Sequence, residues 1–194
     1  MIKLLARRAL RSFSARFEYD TGYMEALLDH HPTAFLKYTL INVPAAHRRG
    51  IPEPPWWAAR IRATLWEDCG PCVQLVCNRA LAAGVNAATA AAVAASDLAA
   101  LDEETALAVR FTEAVLARDS AADALRETVL HRWGQDGLLS LAMAISTSRV
   151  YPGLKYALGH GRSCSRLRIA ECDIAPAAFP STTIPLTTPG GLAQ

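Results

Sequence analysis

Two helical patterns meet at Cys69-Gly70-Pro71-Cys72, and this junction constrains the fold more than any other stretch of the chain. Before it, the Ala/Arg/Leu-rich run from Trp56 to Trp66 follows the break Arg48-Arg49-Gly50-Ile51-Pro52-Glu53-Pro54-Pro55 and reads as a helix. After it, Cys72, Leu75, Val76, Ala80 and Leu81 recur every three to four residues until Gly84, which is placed to end a second helix. Two thiols separated by two residues on such a turn can close into a disulfide and reopen. The pair takes up and releases two electrons while the flanking helices stay in place.

The rest of the chain extends the helical pattern. Helices are expected from the Asp20-capped segment to His30 and His31, from Pro32 through Phe35, Tyr38, Ile41 and Val43, and from Asn86 to Ala95. Others run from Thr105 to Ala117 behind Asp102, from Asp123 to Trp133 with a stop at Gly134, and from Gly137 to Val150. Pro152 should kink or restart the chain before Leu154 to Leu158. Apolar residues make up 52% of the 194 residues and aromatics only 7%, so Ala and Leu dominate, which favours helices and leaves few strands. Residues 1–160 are read as one all-α domain and 161–194 as an extended, Pro-rich tail. In that tail, Cys164 to Ala170 alternates like one short strand, and Pro176, Pro180, Pro185 and Pro189 follow. It either is disordered or drapes over its own domain or a neighbour.

Charge narrows the partners. Twenty basic and 18 acidic side chains leave a net +2, which points to no nucleic-acid surface. Lys3, Arg7, Arg8, Arg11 and Arg16 interleave with Ile2, Leu4, Leu5, Leu10 and Phe13 and describe a packing helix with a solvated face rather than a membrane anchor. Arg7 and Arg8 break the apolar stretch that a signal peptide needs, and Leu81 to Ala95 falls short of a bilayer span. Five cysteines, two of them in redox spacing, suit a reducing cytoplasm better than a secreted disulfide framework.

The helix start favours a thiolate at Cys69 or Cys72, because unpaired N–H groups and the positive dipole end stabilise the anion. Pro71 sits early in the helix, where its missing N–H has no intrahelical partner. Glu67 and Asp68 repel a thiolate but can also move protons, so Glu67 is a candidate general base and equally an exposed acid beside the helix dipole. Cys-Gly-Pro-Cys is the motif of thioredoxins. Those proteins set it after a buried strand, and here Ala58 to Leu65 precedes it as a helix.

A helix, a Cys-x-x-Cys pair and a second apolar helix in an all-α chain resemble the alkylhydroperoxidase D and carboxymuconolactone decarboxylase-like superfamily, over roughly residues 57–155. The resemblance implies a helical bundle that assembles into trimers or multiples of them, and a cysteine pair that reduces hydroperoxides or carries disulfides. It assigns attack to Cys72 and resolution to Cys69. The helix dipole alone picks Cys69 as the more exposed attacker. Where the peroxidase members carry a relay His and Glu, this chain has Val76 and Trp57. Glu67 with Asn78, or His131, would then have to stand in, or efficient peroxide chemistry is lost. The implied partners are a small hydroperoxide, a thiol or disulfide reductant and further copies of the chain, with no cofactor.

The alternative is a non-enzymatic helical oligomer whose pair is structural or binds zinc through Cys69, Cys72 and Cys77 with Cys164, Cys172 or His160. Cys77 lies roughly 140° around the helix from Cys72 and reads as a small core residue. His131, beside Trp133, reads as a core or interface residue ahead of a catalytic one. Trp56, Trp57 and Trp66 either fill the core or wall a pocket over the thiols. Arg149 and Tyr151, at the helix break before Pro152, either reach a substrate or lie on the surface.

Overall fold

The computed structural model describes residues 2–161, 166–170, 172–177 and 179. Among these, helices dominate: α1 (Ile2–Phe17), α2 (Gly22–His30), α3 (Pro32–Thr39), α4 (Asn42–Ala45), α5 (Glu53–Trp66), α6 (Gly70–Ala82), α7 (Ala87–Ala95), α8 (Glu103–Ala117), α9 (Ala121–Ser148) and α10 (Val150–Ala157). The only sheet among the described residues is the antiparallel pair β1 (Leu167–Ile169) and β2 (Cys172–Ile174), in which Arg168 faces Asp173. No described helix is long and apolar enough to cross a membrane.

The core is built around α5. Every residue from Pro55 to Leu65 is buried, so this helix has no solvated face. It packs against α8 and α9, which pack on each other, and against α6 and α7. Such complete burial encloses two arginines. Arg62, 2% exposed, pairs with Glu113 at 2.7 Å and donates to the Val93 and Ala94 carbonyls at the C-terminal end of α7. Its charge is thereby compensated by a carboxylate and by a negative helix end.

Capping residues set several boundaries as expected. Asn86 accepts from the Ala88 N–H at 2.8 Å, Asp102 accepts from the Thr105 N–H at 2.9 Å, and Gly84, with φ 95°, follows the end of α6. Gly134 interrupts α9 with φ 66° and ψ −169°, where the helix was expected to stop. Pro152 falls in the first turn of α10, which starts already at Val150. One expected helix divides in two: α3 ends at Thr39 and α4 begins at Asn42. Pro44 has no N–H to offer the Leu40 carbonyl, which accepts from the Val43 N–H at 3.0 Å, and the Asn42 side chain donates to the Thr39 carbonyl at 2.9 Å.

The second half of α9 fixes the loop that launches α5. Ser140 accepts from the Arg49 N–H at 2.8 Å, and a Cβ on Gly137 would stand 2.2 Å from Cβ of Trp133 and 3.3 Å from the Gly50 carbonyl oxygen. The alternation that forms β1 was legible, whereas β2, three residues long and mostly exposed, carries no such pattern. Gln74 of α6 exchanges hydrogen bonds with both backbone groups of Arg168, Ala177 donates to Ala94, and Phe179 packs on Trp66. This described part of the tail therefore lies against α6 and α7. Cys164, Pro180, Pro185 and Pro189 lie outside the described residues.

Candidate functional site

Asp68, at φ 48°, turns the chain inward between α5 and α6. Cys69 becomes the N-cap of α6 and Pro71 enters its first turn, which leaves Cys72 in that same turn and bonded to Cys69 as a disulfide. Cys69 is fully buried, whereas Cys72 lines a cavity of about 370 Å³. The dipole argument for Cys69 as the more exposed thiol therefore fails: the backbone turn at Asp68 puts the N-cap side chain inside and the next turn's thiol at the cavity wall. Cys72, Leu75, Val76 and Arg79 are spaced three and four apart on α6 and form one stripe facing this space.

The opposite wall comes from α1–α4. Leu10, Phe13, Met24 and Phe35 make it apolar. Tyr19, in the turn after α1, brings its hydroxyl 3.9 Å from Cys72 Sγ and 3.4 Å from the Tyr23 hydroxyl. A disulfide sulfur carries no proton, so the phenol is the donor to it. Lys155, 3% exposed, sets its ammonium 4.8 Å from the Tyr19 ring centre and 5.2 Å from that of Tyr23.

Burial pushes the Tyr19 phenol above its ordinary range, partly offset by the Tyr23 hydrogen bond. Burial pushes Tyr23 up strongly, reinforced by Tyr19. Both hydroxyls keep their protons at neutral pH and remain donors. No spacing in the sequence tied Tyr19 or Tyr23 to the cysteines. The one available signal was the pair of tyrosines four residues apart around the start of α2.

The residues expected to act as a proton relay lie elsewhere. Glu67 pairs with Arg149 at 2.5 Å and is not in the cavity wall. Asn78 accepts from Gln74 at 2.9 Å and reaches the Phe17 carbonyl at 3.5 Å, which holds the end of α1 on α6 just before Tyr19. His131 is exposed on the first half of α9. Val76 faces the cavity one turn after Cys72 and places an alkyl group there.

Trp56 and Trp57 join the core, their rings 5.0 Å apart, and Cys77 is also buried there. Tyr151 lines the cavity, while Arg149 stays with Glu67. Among the described residues no three His, Cys, Asp or Glu side chains converge to hold a metal ion.

No family model matches the chain, and neither a curated protein nor a solved structure matches it.

Proposed function

We propose that this is a thiol–disulfide redox protein of the alkylhydroperoxidase D-like kind, which reduces hydroperoxides with Cys72 as the attacking and Cys69 as the resolving thiol. The observation that carries this reading is the Cys72 sulfur in the wall of an apolar cavity with the Tyr19 hydroxyl 3.9 Å away. In the reduced protein the α6 dipole and the Tyr19 O–H both favour the Cys72 thiolate. The thiolate attacks the terminal oxygen of ROOH: the S–O bond forms, the O–O bond breaks, and Cys72 becomes a sulfenic acid.

The departing alkoxide takes a proton from Tyr19, which solvent replaces, and this balances the proton lost when Cys72 ionised. The Cys69 thiol then attacks the Cys72 sulfur. The S–S bond forms, the S–O bond breaks, and hydroxide leaves with the Cys69 proton as water. A separate thiol reductant returns the two electrons, which places the cycle in a reducing compartment such as the cytoplasm. Leu4, Leu5, Leu36, Leu40 and Val43 are exposed on and around the N-terminal helices and support self-association into the oligomer that the resemblance implies.

Full burial of Cys69 favours one other reading, a disulfide that only staples the start of α6. Mass spectrometry under reductant and oxidant separates the two. Redox cycling requires a gain of two hydrogens on the peptide joining Cys69 and Cys72 and their loss with one equivalent of organic hydroperoxide. A bond that withstands dithiol in the native protein, or thiols that stay reduced while hydroperoxide persists, contradicts the proposal.

A further inference from the structure

Two arginines face the cavity with no carboxylate paired to them among the described residues. Arg60 of α5 is 6% exposed and donates one N–H to the Ala45 carbonyl, and its buried Nε has no partner among the described residues. Its guanidinium lies over Trp56 and Trp57, 4.7 and 5.3 Å from their ring centres, so it is held in place by aromatic faces rather than by an acid. Arg79 of α6, also in the cavity wall, approaches the Trp57 ring at 5.9 Å and forms no ion pair or hydrogen bond from its guanidinium to a described residue. Arg62, buried on the same helix as Arg60, has Glu113. The contrast isolates the cavity pair.

Burial, followed by the nearby Arg79 charge, lowers the Arg60 pKa to about 10, and burial also lowers that of Arg79. Both remain cationic at neutral pH. Two like charges kept in a wall that is otherwise largely apolar are costly unless an anion joins them. A third group completes the subsite: the Tyr151 hydroxyl accepts from Asn42 at 3.0 Å, and its own proton can be donated to a ligand.

We propose that the cavity binds an apolar chain ending in one carboxylate, held by Arg60 and Arg79 with the Tyr151 hydroxyl, so that the hydroperoxide meeting Cys72 is borne on such an acid. Arg79 lies seven residues after Cys72 on the same stripe, roughly 10 Å along the helix axis. A carboxylate at the arginines thus leaves the apolar chain running toward the sulfur. A cavity of about 370 Å³ is within the range of small-molecule pockets. The substrate part of this proposal rests on Cys72 being the peroxide-reactive thiol. The binding part does not.

The test is titration of the oxidised, full-length protein, which cannot turn over, with octanoate and with 1-octanol, followed by calorimetry and by the fluorescence of the tryptophans under Arg60. The expected result is that octanoate binds about tenfold or more tighter than octanol. Arg79→Gln should abolish that preference and leave octanol binding unchanged. Equal affinity for the two probes in the wild-type protein, a preference that survives in Arg79→Gln, or no binding of either overturns the proposal. The wild-type comparison decides by itself if Arg79→Gln does not fold. Absence of peroxidase activity with the octanoate preference intact refutes only the redox assignment, whereas hydroperoxide consumption without the preference refutes the carboxylate subsite and leaves the redox assignment standing.

Discussion

The Tyr19 hydroxyl stands 3.9 Å from Cys72 Sγ, although 53 residues separate the two in the chain. The contact joins the turn after α1 to the first turn of α6 and supplies the only phenol hydrogen-bonded to the sulfur among the described residues. A neutral phenol can stabilise a thiolate and protonate a departing alkoxide, the two tasks that the proposed cycle needs at Cys72.

Tyr19→Phe keeps the ring that packs on Phe13 and under Lys155 and removes only the hydroxyl. Hydroperoxide reduction should slow about ten- to a hundredfold, the range for losing one hydrogen bond to a charged group. The pH midpoint for alkylation of Cys72 should rise with it. Unchanged kinetics and an unchanged alkylation profile would remove Tyr19 from the chemistry.

Glu67→Gln distinguishes two roles for one carboxylate. As the partner of partly exposed Arg149 it stabilises the fold by about 1 kcal/mol or less, and its loss should leave peroxide turnover within about twofold. A general base would cost about a hundredfold or more. Rate measurement on this one variant gives a clear answer.

Four tyrosines should resist alkaline titration. Burial raises Tyr19, Tyr23 and Tyr151 and takes Tyr38 up to about 12, with smaller contributions from neighbouring groups. Each folded pKa lies above its unfolded value, so the stability tied to the neutral phenol is complete below pH about 10 and is lost as pH rises through the folded values. At pH 11 the native protein should show much less phenolate absorbance than the same protein in denaturant. Identical curves centred near pH 10 would contradict the buried cluster.

Gly137→Ala tests the support beneath α5. The added methyl would stand 2.2 Å from Cβ of Trp133, an atom fixed to the helix backbone, and either α9 or the Gly50 turn must shift. A loss of about 1–3 kcal/mol is expected from denaturant midpoints. A neutral effect would mean that the α9 break is not held closely against the Gly50 loop.

Much of the helical fold was legible because its signals are local. Asn86, Asp102, Gly84 and Gly134 mark ends through their own side chains or their lack of one. The split between α3 and α4 was equally local, since Pro44 was there to be read. The disulfide pair was legible for the same reason, as three residues of helix bring Cys69 and Cys72 together. What surrounds the pair was not. Tyr19, Tyr23, Arg60 and Arg79 meet through packing of separate helices, and an arginine in a helix gives no sign that its helix is buried all round. Glu67 and Asn78, adjacent to the motif in sequence, point to other partners. The α4 and α5 residues that frame the arginines likewise carry no pattern announcing a cavity.

The central claim is that Cys72, facing the cavity, is the thiol that meets peroxide and that Cys69 only resolves it. Trapping with a sulfenic-acid-selective dione after one equivalent of organic hydroperoxide tests it most directly, with peptide mapping of Cys69→Ser and Cys72→Ser. The account predicts a trapped sulfenic acid at Cys72 in Cys69→Ser and none at Cys69 in Cys72→Ser. A sulfenic acid at Cys69 in Cys72→Ser, or no adduct at Cys72 while hydroperoxide is consumed, would contradict it.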